Sequence, residues 1–189
     1  DGLRAASWTS ASLVYVAEDA LGNRQPIVNS PEVTLHPTSG KMVLFGTGKF
    51  LESGDTTSTS VQTFYGVWDN GSTVGGRSAL VPQTISTVSV PQANPLNLTP
   101  PPADVDYRIV TKGCGTSPAC PTTPQGWYVD LPTTGERVTG TPKLVSGNVF
   151  FNTFIPSVSP CEFGGTGWLM TLNYLTGAMP SPGVFDSNK

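Results

Sequence analysis

Gly46-Thr47-Gly48 is the stretch of this sequence whose residue types could hold a phosphate group, because it follows an apolar run and precedes Lys49. A phosphate-binding loop of the P-loop type needs a strand, a glycine-rich loop ending in Gly-Lys-Ser or Gly-Lys-Thr, and then a helix. Here Phe50 follows Lys49, and residues 51–62 have neither apolar periodicity nor good helix formers. A dinucleotide-binding fingerprint fails too, since no third glycine follows three residues on. We therefore predict that the glycines let a strand kink and pack closely against its neighbour.

The three cysteines point to a disulfide more than to a metal centre. Five residues, including a Gly and a Pro, separate Cys114 from Cys120, and a small disulfide-closed loop in an oxidising compartment is the first interpretation. A zinc site is the alternative, but it needs further ligands and His36 is the only histidine. Cys161 is left over, either free or paired with sequence outside this chain.

The other chemically active side chains form no recognisable catalytic or metal-binding set. His36 precedes a Pro and a turn, and we expect it on the solvent side of a loop. No second histidine or nucleophile motif accompanies it, so a catalytic triad has no support. Glu52 with Asp55, and the tripeptide Asp69-Asn70-Gly71, could suggest cation loops, but neither has the spacing of a calcium loop. Asp186 begins a similar run near the C-terminus, where the chain ends before the pattern is complete.

Three tryptophans, Trp68, Trp127 and Trp168, each lie near the end of a predicted strand. Packing in the hydrophobic core is the simpler interpretation of these side chains. The alternative is a platform on which sugar rings stack, which would make the chain a carbohydrate-binding module.

Composition excludes two classes of partner. Charged residues make up 12% of the 189 residues and the formal net charge is −3, with cations scattered along the chain. Because binding to nucleic acid needs several clustered cations, we expect none. No apolar run approaches the roughly 20 residues that a membrane-spanning helix requires. The chain starts at Asp1 without a signal peptide, as a mature or excised fragment would.

The sequence pattern predicts an all-β structure. One stretch, Ala5–Ala20, is a weak helix candidate, although its Val14-Tyr15-Val16 centre suits a strand at least as well. Asn70-Gly71 is a strong hairpin signal at the end of one strand. The predicted strands are Ser12–Ala17, Ile27–Leu35, Met42–Phe45, Gln62–Trp68, Thr84–Val90, Tyr107–Thr111, Gly126–Leu131, Pro142–Val145, Asn148–Phe154 and Gly167–Asn173.

An internal repeat predicts two blade-like units. Each unit has a Pro-led strand, a turn with Gly, an apolar strand containing Phe, a polar loop and an aromatic strand. We assign residues 1–90 to the first unit, the Pro-rich stretch 91–103 to a surface loop, and residues 104–189 to the second unit. Repeated units of about four antiparallel strands are typical of β-propeller blades, and two of them do not close a ring. We therefore expect part of one propeller domain, about two blades.

Several blocks of the sequence resemble the C-terminal β-propeller region of the PilC/PilY proteins, which are tip-associated adhesins and biogenesis factors of bacterial type IV pili. The similar blocks run collinearly over nearly the whole chain. They are RQPIVNSPEVTLHPTSGKMVLFGTGKFLESGD with TSVQTFYGVWDNG, GWYVDLPTTGERV, FFNTFIPSVSPCEFGGTGWLMTLNYLTG and PGVFD.

The resemblance implies a non-catalytic role in pilus biogenesis and adhesion. It implies export through the periplasm to the pilus tip or cell surface. The implied partners are minor pilins, a host or abiotic surface, and the rest of the propeller. The family's calcium site would lie upstream of residue 1, so no metal or cofactor is expected in this chain. The positions that match structural motifs of the family are Gly46, Thr47, Gly48, Tyr65, Trp68, Asp69, Trp127, Trp168 and Cys161.

Two exposed loops, Pro91–Ala103 and Cys114–Cys120, are the candidates for binding contacts on such a scaffold. Two other functions are alternatives. A secreted propeller enzyme, such as a quinone-dependent dehydrogenase, would need a calcium ion, a catalytic carboxylate and a Trp stacked over the cofactor. A carbohydrate-binding module would use the tryptophans.

Overall fold

The computed structural model describes residues 12–111, 113, 120–157 and 164–181. Within these residues, the regular structure consists of twelve β-strands and two short 3₁₀-helices, Ser53–Thr57 and Arg77–Ala79, and no α-helix is present. The strands are mostly short runs rich in Val, Thr and aromatic residues, a composition that favours β structure. The all-β prediction is confirmed.

The first sheet has five strands in the order β1-β2-β3-β7-β4. Four of them pair antiparallel: β1 (Glu32–Leu35), β2 (Lys41–Gly46), β3 (Thr63–Asp69) and β7 (Gly126–Asp130). The fifth, β4 (Val81–Gln83), pairs in parallel with β7. The first five residues of β3 are all buried, as expected for a central strand covered on both faces. The predicted four-stranded antiparallel blade is present here, with a parallel strand added at one edge.

The second sheet is organised around the long strand β10 (Asn148–Pro156), whose two halves have different neighbours. Its first half lies between β9 (Lys143–Val145) and β12 (Leu169–Asn173). Its second half lies between β8 (Arg137–Val138) and β11 (Gly165–Thr166). Three strands therefore lie side by side only at Asn148–Phe150, where the sequence predicts four.

A two-stranded hairpin forms a third sheet. It consists of β5 (Ile85–Val90) and β6 (Val105–Val110), which pair antiparallel from Ile85 opposite Val110 to Val90 opposite Val105. We call residues 85–110 the arm. The Pro-rich stretch connects its two strands at the tip, and nearly all of that stretch is exposed, in agreement with the predicted surface loop.

The two larger sheets pack face to face around one hydrophobic core. Phe64 of β3 and Phe151 of β10 stack with their ring centroids 3.8 Å apart. Trp127 of β7 is fully buried in the same core. The other face of the first sheet carries a second apolar cluster around Tyr65 and Leu80. The aromatic rings of Phe64, Trp127 and Phe151 therefore pack in the core between the two sheets.

The Gly-Thr-Gly segment is part of this packing. A Cβ added at Gly46 would lie 2.3 Å from Val138, and one added at Gly48 would lie 2.4 Å from Arg137. Thr47 is fully buried and exchanges hydrogen bonds with Thr63, whose N–H donates to the Thr47 hydroxyl at 2.8 Å. The predicted close approach of neighbouring strands is therefore present. A short 3₁₀-helix, which the sequence did not predict, follows in place of the α-helix that a phosphate loop requires.

Several strand predictions are wrong in extent or existence. Residues 12–17 form no strand, because this segment lies on the outer face of the first sheet and makes single backbone bonds, such as Val74 N–H to Val14 O, with no continuous ladder. The described part of the helix candidate Ala5–Ala20 contains no helix. The strand predicted over Ile27–Leu35 is only β1, with Ile27 in an isolated bridge to Gly48. The short strands β4, β8 and β11 have no counterpart in the prediction.

Two topological predictions are also wrong. Asn70-Gly71 does not lead into a hairpin, because β3 pairs with β2 and β7 and not with the next strand along the chain. The Pro-rich loop does not separate two sheets, because β7 lies after it in the chain and pairs with β3. The physical reason is that the apolar Trp127 and Val129 of β7 belong to the core of the first sheet.

Candidate functional site

A groove of about 580 Å³ lies where the C-terminal end of β3 and the N-terminal ends of β4 and β7 meet the turn after β12. Because β3 runs antiparallel to β7 and β4 runs parallel to it, these three strand ends lie at the same end of the sheet. We call it the aromatic groove. It is lined by His36, Thr38, Met42, Trp68, Val81, Gln83, Gly113, Pro124, Gly126, Trp127, Leu175, Thr176 and Ala178.

One wall of the aromatic groove is a stacked pair of rings. His36 stacks on Trp68 with ring centroids 4.3 Å apart and planes inclined by 19°. The indole N–H of Trp68 donates to Ser39 O at 2.7 Å, which fixes the ring. The turn holding Ser39 needs Gly40, whose φ of 72° is left-handed and whose added Cβ would lie 2.1 Å from Asp69 O. His36 is therefore a partly buried wall residue and not the solvent-side loop residue that the sequence predicts.

Trp127 forms the floor of the groove. It is fully buried, and its indole N–H donates to Tyr174 O at 2.9 Å. Cβ atoms added at Gly66 and Gly177 would each lie 2.4 Å from the indole ring, so both glycines are required by close packing. Trp127 therefore ties the first sheet to the turn after β12 and offers no open face for a sugar ring.

Gln83 supplies the buried polar group of the groove. Its amide nitrogen donates to Thr176 O at 2.7 Å, and its amide oxygen accepts from the Gly113 N–H at 2.7 Å and from the Thr111 hydroxyl at 3.1 Å. Through these bonds Gln83 holds Thr111 and Gly113, which follow β6, against the turn after β12. The groove is consequently a preformed, mainly apolar surface that suits binding.

No reacting centre accompanies the groove in the described residues. Its lining has no carboxylate or nucleophile beside His36, and no group of three or more His, Cys, Asp or Glu side chains in the described chain could hold a metal ion. Two tyrosines with shifted pKa values lie elsewhere, since burial raises the pKa of both Tyr15 and Tyr65 above the ordinary value. A tyrosine whose pKa moves away from neutrality is a poor acid or base.

A polar network on the outer face of the first sheet holds the segment before β1 in place. Arg77 pairs with Asp130 at 2.6 Å, donates to Tyr65 at 3.1 Å and lies 3.8 Å above the centre of the Tyr128 ring. The Tyr65 hydroxyl donates to Gln25 at 2.7 Å. Burial disfavours the charged guanidinium, but the hydrogen bond and the negative charge of Asp130, together with Tyr65 and Tyr128, outweigh it and raise the pKa of Arg77. We assign this network to structure.

The arm is anchored by a second ion pair, which is more deeply buried. Both guanidinium nitrogens at the end of Arg108 contact the Glu136 carboxylate, at 2.5 and 2.8 Å, and the side chains are 3% and 0% exposed. The guanidinium also lies 4.3 Å above the Trp168 ring. Burial alone would raise the pKa of Glu136, but the hydrogen bonds from Arg108 and Thr153 lower it below the ordinary value. Trp168 is thus covered by a cation and is no sugar platform.

The pair Glu52 and Asp55 forms no cation loop. Asp55 is buried and accepts hydrogen bonds from the N–H groups of Leu51 and Glu52 at 2.8 and 3.2 Å, which lowers its pKa, the Leu51 bond contributing most. Lys49 pairs with both carboxylates. The guanidinium of the buried Arg137 donates to Asp55 O at 2.7 Å. These carboxylates therefore hold the 3₁₀-helix in place.

The remaining predicted site residues are spread over the chain. Tyr65 lies in the outer-face network. Asp69 accepts a hydrogen bond from the Gly71 N–H at 3.0 Å and acts as a turn residue. Cys114, Cys161 and Asp186 lie outside the described residues, so the disulfide between Cys114 and Cys120 stays a prediction. Of the predicted residues that the structure describes, only Trp68 and Trp127 line the groove together with His36.

The sequence interpretation missed the buried or partly buried charged residues Arg77, Arg108, Asp130, Glu136 and Arg137. One signal was present for two of them: Arg108 and Asp130 interrupt apolar runs, in YRIV and WYVDL. Because an ionised side chain is rarely buried without a partner, such positions indicate an ion pair. The sequence alone does not say which partner each one has.

The sheets and the groove define a class of protein: an all-β, propeller-type scaffold with a groove at strand ends. The model of a family described as "PilY1 beta-propeller domain" matches residues 4–89. A type IV pilus biogenesis factor PilY1 homolog of Xylella fastidiosa is 37% identical over 171 residues, which are 87% of this chain. Type IV pilus biogenesis factor PilY1 of Pseudomonas aeruginosa is 28% identical over 200 residues, 92% of this chain.

A solved structure agrees with these sequence matches. The crystal structure of the Pseudomonas aeruginosa PilY1 C-terminal domain superposes with a TM-score of 0.68 at 26% identity, over 89% of this chain and 35% of that one. The chain resembles the PilY1 β-propeller family over nearly its whole length, and that resemblance and the partial propeller fold are confirmed. It spans 11% of the length of the Xylella relative and 16% of the Pseudomonas relative.

No helix in the described residues has the length and apolar character needed to cross a bilayer.

Proposed function

We propose that this chain is a non-catalytic binding part of a type IV pilus biogenesis factor, and that it contacts pilus components through the aromatic groove. Two relatives that match about nine-tenths of the chain carry the name type IV pilus biogenesis factor. The observation that carries the binding role is the groove of about 580 Å³ with aromatic walls whose polar groups are already paired.

The groove supports binding because it is rigid before any partner arrives. Trp68, Trp127 and Gln83 each have a fixed hydrogen bond, so little side-chain freedom is lost on association. Aromatic side chains in such grooves contribute strongly to protein interfaces. The proposed partners are minor pilins at the pilus tip, a host or abiotic surface, and the rest of the propeller. The proposed location is extracellular, at the pilus tip or cell surface.

The experiment introduces a large, positively charged side chain into the groove and leaves the buried residues that form its floor unchanged. Thr38 lines the groove and is exposed, so Thr38→Arg should fill the groove while the sheets stay intact. Thr87 is exposed on the arm and gives the matched control, Thr87→Arg. Each variant is introduced into the full-length gene of the bacterium that carries it. Surface pili and co-purifying pilins are then measured against a strain in which the gene is deleted.

We expect Thr38→Arg to reduce both readings toward those of the deletion strain and Thr87→Arg to leave both unchanged. Normal pili in the deletion strain would overturn the role in pilus biogenesis. If the deletion strain is defective but the Thr38→Arg strain has normal pili and normal pilin binding, only the assignment of the groove as the contact surface is overturned. Alcohol oxidation with a quinone acceptor by the purified protein would support the dehydrogenase alternative, and glycan binding lost on Trp68→Ala would support the carbohydrate-binding one.

A further inference from the structure

We propose that the groove between β6 and β12 receives an extended peptide segment of another protein, which pairs as an added strand. This strand-addition groove has a volume of about 320 Å³ and is separate from the aromatic groove. The inference goes beyond the proposed function and does not depend on which pilus component the chain binds.

The walls of the strand-addition groove are strand edges. The groove is lined by five consecutive residues of β6, Asp106–Val110, and by four consecutive residues at the start of β12, Trp168–Thr171. Met179 and Pro180, which follow the turn after β12, complete the lining. Side chains alternate between the two faces of a sheet, so a groove over a sheet face is lined by every second residue. A lining of consecutive residues shows that the backbones themselves face the groove.

The hydrogen-bond register shows which backbone groups face the groove. In an antiparallel pair, successive residues alternate between bonding the partner strand and pointing away from it. Thr153 N–H donates to Trp168 O, so Leu169 and Thr171 point away from β10. Thr111 N–H donates to Thr84 O in the same way, so the backbone groups of Asp106, Arg108 and Val110 in β6 point away from β5.

These outward groups have no protein partner within the described residues, where β12 pairs only with β10 and β6 pairs only with β5. Unpaired N–H and C=O groups along both walls of the groove form a template for one further strand. A small apolar ligand would leave both rows unpaired, whereas an extended peptide carries donors and acceptors on both of its edges. We therefore assign the groove to a peptide.

A side chain gives independent support. Arg108 lines the groove and its side chain is 3% exposed, yet its Nε–H is buried and has no hydrogen-bond partner, although its terminal nitrogens hold Glu136. The Thr171 hydroxyl in the opposite wall is also buried without a partner. Buried donors in folded proteins are almost always paired. A carbonyl oxygen of a strand lying in the groove is the acceptor that the Nε–H lacks.

The test removes one outward N–H without disturbing the sheet. Proline has no N–H and is tolerated on an edge strand where that group faces away from the partner, so Thr171→Pro should fold. Thr171→Ala keeps the N–H and is the matched control. The probe is a display library of linear twelve-residue peptides selected on the purified chain, and the enriched peptide is then synthesised for affinity measurement.

We expect Thr171→Pro to weaken the binding of that peptide by about tenfold or more, and Thr171→Ala to change it by less than about threefold. A second form of the peptide, N-methylated at every other residue, should bind about tenfold more weakly to the unaltered chain, which tests strand pairing even if Thr171→Pro fails to fold. Failure to enrich any peptide, or equal affinity for the N-methylated form, would overturn the proposal. A dimer in sedimentation that Thr171→Pro dissociates would overturn it in favour of a second copy as occupant.

Discussion

The buried pair of Arg108 and Glu136 makes the stability of the protein depend on pH. Glu136 has a pKa below its ordinary value of 4.5, because the hydrogen bonds from Arg108 and Thr153 outweigh the effect of burial, so folding favours the carboxylate. A carboxyl group with a lowered pKa contributes stability that is complete above its unfolded pKa. That contribution is lost as the pH falls through the folded value. We expect the free energy of unfolding to decrease as the pH drops below about 4.5.

Urea unfolding at a series of pH values between 7 and 3 checks this expectation. The matched variant is Glu136→Gln, which keeps the shape of the side chain and removes its titration. Glu136→Gln should be less stable than the unaltered chain at pH 7 by about 3 kcal/mol, because Arg108 then lacks its counter-charge. Its stability should also depend less steeply on pH below 4.5. Equal slopes for the two proteins would contradict the assignment.

At the scale of residues, the sequence predicts packing better than pairing. The close approach at Gly46 and the burial of Trp127 follow from residue type alone, since glycine admits a neighbour and a large aromatic ring is rarely left in solvent. The partners of Arg108 and of Asp130 do not follow, because they lie 28 and 53 positions away along the chain. The pairing of His36 with Trp68 was missed for the same reason: the turn at Gly40 places His36, and the pairing of β3 with β2 brings Trp68 beside it.

At the scale of elements, the arm is a hairpin whose long connection is not needed for its register. Val90 lies directly opposite Val105, so the ends of β5 and β6 are already placed for a two-residue turn. We expect a chain in which Asn-Gly replaces residues 91–104 to remain folded. Its free energy of unfolding should rise by about 1–2 kcal/mol, because the shorter loop has less conformational entropy to lose.

Thermal and urea unfolding of the shortened chain measure this change. Amide hydrogen exchange in β6 shows whether the arm keeps its pairing. A matched control replaces the same residues with a flexible Gly-Ser loop of equal length, which should leave the stability within about 1 kcal/mol of the unaltered chain. Loss of exchange protection in β6 of the Asn-Gly chain would show that the natural loop holds the arm in place.

Strand prediction succeeded where alternation or a long apolar run marked the element, as in β2, β3, β7 and β10. It failed for β4, β8 and β11, which have only two or three residues and become strands because a neighbour offers a free edge. It also failed for residues 12–17, whose Val-Tyr-Val composition suits a strand. There, side-chain packing on the outer face of the first sheet replaces ladder pairing.

At the scale of the whole molecule, the two sheets share a core and should unfold together. Leu172 of β12 is fully buried in the core that also contains Phe64 of β3. Leu172→Ala should lower the free energy of unfolding by about 3 kcal/mol, since it removes buried apolar contacts and leaves a cavity. Leu169 lies in the same strand but is 56% exposed, so Leu169→Ala is the matched control and should change the stability by less than about 1 kcal/mol.

Native-state hydrogen exchange distinguishes a shared core from two separate ones. If the sheets unfold as one unit, Leu172→Ala reduces the protection of slow amides in β3 as much as in β10, although β3 belongs to the other sheet. The stacked rings of Phe64 and Phe151 supply the physical link, because neither sheet keeps its inner face covered once the other opens. Reduced protection in β10 with unchanged protection in β3 would show that each sheet unfolds independently.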